Sequence, residues 1–356
     1  MTNRRGGEAA RAAWLYYLEE FTQGEVAREL GVSRSTVVRL LQRAKEEGLV
    51  RITLDVPREV FEMERELERL YGLRRVRLVP EAGDETTLKR WLGHAAAELL
   101  AELVKPGTTV AVGWGQTLRA TTESLAGEQP VEGTRIVPLT GGLHRVSSGS
   151  NSYWVAAQIG RYFQATVQAL YAPLFVEDRS TSETLVQDHD IRDTLDLARQ
   201  ASLAILSMGT LHEEATLVQQ GYLSPEELAF LRERGAVGDI ICRWIDIQGN
   251  PVELPPAINP IGISLEDIKN IPERLTVAGG KLKREALLGT LRGGFTTTLV
   301  TDEGMAAYLL ERVADSSLVV PGRSGRSGRH PVEGAQPLPD GVAASNRLRP
   351  PTPRQR

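Results

Sequence analysis

Residues 22–49, TQGEVARELGVSRSTVVRLLQRAKEEGL, admit few folds: two short amphipathic helices separated by a tight glycine turn. Thr22 followed three positions later by Glu25 fits a capping box. Val26, Ala27 and Leu30 mark one apolar face, and Gly31 offers the left-handed conformation of a sharp helix ending, so the first helix is expected to stop at Leu30. Ser33 is expected to cap the second helix, whose inward stripe is Val37, Leu40, Leu41 and Ala44; Arg34, Ser35, Arg39 and Arg43 are left on or near the outer side. Short polar groups followed by arginines suit a major groove and its flanking phosphates. The candidate DNA contacts are therefore Gln23, Ser33, Arg34, Ser35, Thr36, Arg39 and Arg43. An ordinary helical hairpin with a solvated charged face is the competing reading; Gly48 and the β-prone run 49–54 after it favour a winged helix-turn-helix.

A chain of 356 residues is too long for one small core and suggests two folded parts. It contains no apolar run of about 18 or more residues, and its first residues, MTNRRGGEAARAA, lack an apolar signal core. No membrane span, no export and a cytoplasmic address are expected. Cys242 is the only cysteine, which excludes an internal disulfide and a cysteine-based metal site; a small buried residue in a strand is expected there. The net charge of -4 conceals a division along the chain: residues 1–51 hold 9 Lys and Arg against 7 Asp and Glu, 316–356 hold 7 against 2, and 52–315 hold 26 against 37. Phosphates repel an acidic body, so DNA contact should be confined to the basic head, with or without help from the tail.

The charged segment Arg58–Tyr71 is a predicted helix with a narrow seam of Val60, Met63, Leu67 and Leu70. A dimerising linker and a helix that packs on its own domain are equally compatible with that seam. From Val76 onward strands and helices alternate. Apolar strands are expected at 109–112, 135–139, 166–170, 203–206, 274–277 and 297–300, with helices around 91–103 and 152–163 between them. Such alternation implies a mainly parallel sheet covered by helices on both faces, with ligands bound at the carboxyl ends of strands where the strand order reverses. Residues 316–356 contain seven prolines, five glycines and no aromatic residue, which marks a disordered basic tail. The expected organisation is a helix-turn-helix domain over 1–56, a helical linker over 57–75, an α/β ligand-binding domain over 76–315 and the tail over 316–356.

Three predicted strands end in glycine-bearing loops: Gly113-Trp114-Gly115-Gln116-Thr117, Gly141-Gly142 and Met208-Gly209-Thr210. Glycines let a backbone approach an anion closely, and free amides at the next helix start can hold a phosphate. Leu118 stands where a dinucleotide fingerprint needs a third glycine, and no Gly-Lys-Ser/Thr sequence occurs. A dinucleotide cofactor is thus disfavoured, and a smaller phosphorylated ligand stays open. Asp239 and Asp246 could accept from sugar hydroxyls, and Lys283, opening a helix after Ala278-Gly279-Gly280, could meet a phosphate or a carbonyl, although each taken alone reads better as a solvated surface residue. The histidines at 94, 144, 189, 212 and 330 form no ligand pattern, so no metal is expected.

Taken together the chain resembles the SorC family of bacterial sugar-binding transcriptional regulators from about residue 12 to 310. The head resembles that family's helix-turn-helix nearly throughout, and GWGQT, PLTGG, GAVGDI, INPIGISLEDIKNIP, VAGGKLKREAL and LRGGFTTTLVTDEGMA are similar to its motifs in the same order. The resemblance implies a winged helix-turn-helix joined to a Rossmann-like α/β effector domain built like sugar-phosphate isomerases and coenzyme A transferases. It also implies binding of a phosphorylated sugar that changes operator affinity, without a cofactor and commonly as a tetramer; a homo-oligomer of two or four chains is the expectation. Gly115, Gln116 and Thr117 would cradle phosphate, Asp239 would receive a sugar hydroxyl and Lys283 would sit beside the ligand, with Gly113, Gly141, Gly142 and Gly209 completing the site. Thr140 stands where some members have arginine, and Gln116 replaces a hydroxyl residue; both weigh against a doubly phosphorylated ligand. The alternative function is a sugar-phosphate isomerase-like enzyme with an appended DNA-binding head.

Overall fold

In the computed structural model the described residues are 3–19, 21–46, 49–50, 58–143 and 148–314. The head consists of α1 (Asn3–Tyr17), α2 (Gln23–Leu30) and α3 (Arg34–Glu46). The local signals act as expected. Thr22 and Glu25 exchange both bonds of a capping box, Gly31 ends α2 at φ 64°, and Ser33 Oγ accepts from the Thr36 amide at 3.2 Å. Ala9, Ala12 and Ala13 of α1 meet Val26 and Ala27 of α2 and Val37, Leu41 and Ala44 of α3 in one small core. The expected helix end at Gly48 and the β-run from 51 to 54 lie outside the described residues, as does the expected tail over 316–356.

The larger part opens with α4 (Arg58–Tyr71), β1 (Arg75–Val79), α5 (Glu85–Leu103), β2 (Thr109–Val112), α6 (Gln116–Ser124), β3 (Arg135–Pro138), α7 (Ser152–Phe163) and β4 (Thr166–Val167). It continues through β5 (Phe175–Val176), α8 (Arg179–Leu185), α9 (His189–Arg199), β6 (Leu203–Leu206), β7 (Met208–Thr210), α10 (Thr216–Gln219) and α11 (Pro225–Glu233). Strands β8 (Ala236–Ile240), β9 (Arg243–Asp246) and β10 (Asn259–Pro260) precede α12 (Leu265–Asn270), β11 (Glu273–Val277), α13 (Arg284–Arg292), β12 (Thr298–Asp302) and α14 (Glu303–Ala314). Seven strands form one sheet in the order β1-β12-β11-β6-β2-β3-β4, and every pairing in it is parallel. β7, β8 and β9 make a separate antiparallel meander, and β5 pairs with β10.

Parallel strands buried on both faces read as continuous apolar runs, and side chains alternate between the layers. Val110, Val112, Ile136, Ile205 and Val277 face α5 and α7, whereas Ala111, Val137, Ala204 and Leu206 face α9 and α12. The chain steps from β2 to β3 and β4 in one direction, while β6 lies on the other side of β2. The strand order therefore reverses between β2 and β6, and a crevice opens beyond their carboxyl ends.

One open reading is decided and two expectations change. The seam of α4 packs on its own domain: Leu67 is fully buried, with Val60 and Met63 against the same cluster as Leu78, Leu299 and Leu309. Two α4 carboxylates also satisfy the open edge of the sheet, Glu64 accepting from the Leu78 amide and Glu68 from the Val76 amide, each at 2.9 Å. The strand expected over 166–170 pairs only at Thr166 and Val167, because the chain then turns away so that the Ala172 carbonyl meets the Gly142 amide. Cys242 is buried but lies in the β8–β9 turn, where Ile241 and Cys242 have φ of 48° and 61°.

Helix α5 lies against the backbone of α6 at Gly93, where an added Cβ would lie 2.5 Å from the Ala120 carbonyl carbon. Backbone cannot give way as a side-chain tip can. Gly93→Ala should force the two helices apart and cost about 1–3 kcal/mol of stability; a denaturant midpoint equal to that of the parent would refute this packing.

Candidate functional site

A cavity of about 510 Å³ occupies the crevice at the strand reversal. Its floor is the loop after β2, where Gly115, at φ 121° and ψ 170°, precedes the first turn of α6 without any side-chain cap. Such an uncapped helix start presents backbone N–H groups toward the cavity, and only glycine takes that φ at little cost. Gln116 and Thr117 line the same loop. From β6, Ser207 enters beside them. From the opposite wall comes the 3-10 turn Lys281–Lys283, again with no side-chain cap at Gly280. Lys283 Nζ donates to Thr117 Oγ1 at 3.3 Å and to Ser207 Oγ at 3.5 Å, so one ammonium bridges the two strands between which the order reverses.

Enclosure by the protein and the neighbouring Lys89 push the Lys283 ammonium down to about 8, against the opposing pull of Glu85 and Asp239. Lys89 reaches the cavity from α5, donating to Gln116 Oε1 at 2.6 Å and pairing with Glu85 at 2.8 Å. Across the cavity stands Asp239. Its partner in the β7–β8 ladder is Gly209, and a Cβ on Gly209 would lie 2.0 Å from Asp239 Oδ1. The glycine makes room for the carboxylate. Asp239 Oδ2 accepts from the Cys242 amide at 2.8 Å, which fastens the turn holding Ile241 and Cys242 in the left-handed region. Burial raises the Asp239 carboxyl to about 6, against the Cys242 hydrogen bond and the Lys283 charge.

The cavity thus joins Gly115, Gln116, Thr117, Gly209, Asp239 and Lys283, six of the nine residues expected from the sequence. Gly113 lies beneath it, extending the β2–β6 pairing through its amide to the Ile205 carbonyl at 3.0 Å. Gly141 and Gly142 do not line it. A Cβ on Gly141 would meet the Pro173 oxygen at 2.3 Å and one on Gly142 the Tyr153 ring at 2.3 Å, so both glycines serve close packing. Asp246 is occupied as a turn former, accepting from the Gln248 and Asn250 amides at 2.9 and 2.8 Å. Lys89, Ser207 and Asp302 were not legible as site residues. Asp302 could have been read as a helix cap three positions before Met305, but its second role needs the fold: Oδ1 accepts from the Met305 amide at 2.9 Å and Oδ2 from the Gly280 amide at 2.8 Å.

In the head, Arg34, Ser35 and Arg39 are exposed on one side of α3. Arg34 Nε donates to Gln23 Oε1 at 3.4 Å, which ties the start of α2 to that of α3, and Ser33 Oγ lies 2.9 Å from both the Ser35 and Thr36 hydroxyls. Arg43 is partly exposed one turn farther on.

The sugar-binding domain family (Sugar-bind) matches residues 56–311, and the MarR family matches 12–57. The chain belongs to the SorC family of sugar-binding transcriptional regulators. It is 32% identical over 301 residues to the deoxyribonucleoside regulator of Bacillus subtilis, covering 84% of this chain and 96% of that one. Against the transcriptional regulator LsrR of Escherichia coli K12 the identity is 33% over 307 residues, covering 85% and 94%. The full-length sorbitol operon regulator SorC from Klebsiella pneumoniae shares the fold, with a TM-score of 0.66 at 24% identity over 86% of this chain and 99% of that one. This SorC-family chain is accordingly a transcriptional regulator with a helix-turn-helix and a sugar-binding domain. Among its described residues no helix is long and apolar enough to cross a membrane.

Asp302→Asn keeps one acceptor oxygen and turns an NH2 group toward the other backbone donor. It should cost about 1–3 kcal/mol, read as a lowered urea midpoint; an unchanged midpoint would show that one of the two amide bonds is dispensable.

Proposed function

We propose that this chain is an operator-binding regulator whose DNA affinity is set by a singly phosphorylated sugar held between Gly115–Thr117 and Lys283. The observation that carries the reading is the Lys283 ammonium at 3.3 Å from Thr117 Oγ1 beside the uncapped start of α6. A cation next to free helix amides is an anion site, and the cavity gives it one such end. Asp239, on the other wall, suits a sugar hydroxyl. Gly113 supports the phosphate loop from below, and Gly141 and Gly142 support the site only through packing. The operator contacts are Gln23, Ser33, Arg34, Ser35, Thr36, Arg39 and Arg43. Action in the cytoplasm as a dimer or tetramer completes the reading, since one helix-turn-helix reads few base pairs and paired half-sites match two-fold symmetry.

The competing reading is a sugar-phosphate isomerase, and a carboxyl raised to about 6 facing a cavity with an amine lowered to about 8 is the observation in its favour. Regulation fits better because the carboxylates are engaged structurally: both Asp302 oxygens and one Asp239 oxygen already accept backbone amides. Proton NMR of aldose and ketose phosphates with the protein in heavy water separates the two. Exchange at the carbon beside the carbonyl would establish catalysis.

Thermal shift against paired free and phosphorylated sugars should give stabilisation only with a phosphorylated member. Lys283→Ala should leave ligand-free operator binding intact and require on the order of tenfold more of that compound, because a charge-assisted contact is lost. The parent should also show a pH dependence of definite sign. A bound phosphate raises the Lys283 pKa above its free value of about 8, so binding takes up a proton and weakens as pH climbs through that value. Titrations at about pH 7 and about pH 9 should differ roughly tenfold; equal affinities would remove Lys283 from the site.

On the DNA side, Arg34→Ala or Arg39→Ala should weaken operator binding by about 1–3 kcal/mol where the arginine grips a base in bidentate fashion. Wild-type binding should fall steeply with added salt. Both variants matching the wild type in a fluorescence-anisotropy titration would sink the assignment.

A further inference from the structure

The outer side of α3 is not wholly polar. Val38 is 47% exposed, although the head's core is already filled by Val37, Leu41 and Ala44 from the same helix. Ser35, Val38, Arg39 and Gln42, all exposed, follow the i, i+3, i+4, i+7 spacing of a single helix face. Folding gives no reason for valine there. A β-branched residue loses side-chain freedom in a helix and is a poorer helix former than alanine, leucine or lysine at an exposed position. An apolar group at that place gains free energy only if the face meets another surface.

The neighbours define that surface. Arg34, Arg39 and Arg43 lie on the same helix, and α3 carries no carboxylate before Glu46. The Ser33 hydroxyl is bonded to those of Ser35 and Thr36, while Arg39 donates to Thr36 Oγ1 at 3.4 Å. A cationic, hydroxyl-bearing face with one apolar knob at its centre is complementary to duplex DNA. The single apolar group that base edges present in the major groove is the 5-methyl of thymine. We propose that Val38 reads a thymine methyl in each operator half-site. The arginines then add affinity at phosphates or guanines, and the valine discriminates thymine from bases that lack the methyl. This rests on the head's DNA-binding role and is independent of which sugar the other domain holds.

The test uses the full chain and a duplex that the wild type selects from a randomised pool. Each thymine of one half-site is replaced in turn by deoxyuridine, which removes one methyl and leaves every hydrogen-bonding group in place. At one position the wild type should lose about 3- to 10-fold in affinity, as expected for one methyl taken out of apolar contact. Val38→Ala should bind the unsubstituted duplex more weakly by a similar factor and lose nothing further at that position, whereas Arg39→Ala should keep the deoxyuridine penalty. The Val38→Ala melting temperature should not fall, since alanine is the better helix former. Equal deoxyuridine penalties in wild type and Val38→Ala, or none at any position, overturn the proposal. So does a Val38→Ala chain whose sedimentation changes while its deoxyuridine profile stays wild type, because the valine would then face a second copy of the chain.

Discussion

An all-parallel sheet has no hairpin to close it, so its order must reverse somewhere if helices are to cover both faces. Here the reversal falls between β2 and β6. One wall of the cavity sits on that line: the loop after β2 supplies the uncapped start of α6, Ser207 follows β6, and Lys283 spans the two, while Asp239 comes from β8 and Lys89 from α5. The site is a consequence of strand order. Moving Gly115–Thr117 and Lys283 together across 166 residues of sequence requires no special loop, only that both follow the carboxyl ends of strands in one sheet.

Close approach is the second constraint, and buried carboxylates are the devices that hold it. Gly209 lets Asp239 lie against β7, and Asp239 in turn holds the Cys242 amide of a turn that places a β-branched residue at φ 48°. Left-handed isoleucine is costly, of order 1–3 kcal/mol, and persists because its surroundings determine it. Gly279 stands to Asp302 as Gly209 stands to Asp239, for a Cβ there would lie 2.5 Å from Asp302 Oδ2. In both pairs a missing side chain admits a carboxylate that then ties down backbone amides. The carboxylates of α4 likewise hold backbone amides, at the sheet edge, in keeping with the own-domain reading of its seam.

The turn between α2 and α3 was legible because capping is local: Thr22, Glu25, Gly31 and Ser33 act within four residues of themselves, whereas α1 was not anticipated. Most of the parallel strands were legible from their apolar runs, whereas Lys283 taken alone reads as a solvated residue and drew notice only through the family resemblance of VAGGKLKREAL. What escaped was set by distance in the chain. Gly141 and Gly142 look in sequence like Gly113 and Gly115, yet Pro173 and Tyr153 occupy the space beside them, and no local pattern reveals a partner 11 to 32 residues away. Lys89 was hidden among the residues of an otherwise ordinary amphipathic helix.

The two halves of the molecule must share a physical path if a ligand in one is to alter the other, and the larger domain contains the first part of it. The Gly280 amide, one residue from the turn that carries Lys283, is bonded to Asp302, whose other oxygen starts α14 at Met305. Along α14 the Leu309 carbonyl accepts from the Tyr71 hydroxyl at 3.0 Å, and Leu309 packs with Leu67, so the path reaches both side and end of α4. That helix is the element next after the head in chain order. Contiguity alone moves nothing: a ligand shifts an equilibrium only by its difference in affinity for two arrangements. The backbone of α6 is packed against that of α5 at Gly93, whereas the turn at 281–283 is tied to its surroundings through side chains, the Asp302 carboxylate holding the Gly280 amide and the Lys283 ammonium meeting Thr117 and Ser207. Any displacement of the turn that carries Lys283 therefore bears on the Asp302 bond pair, and through it on the start of α14 at Met305.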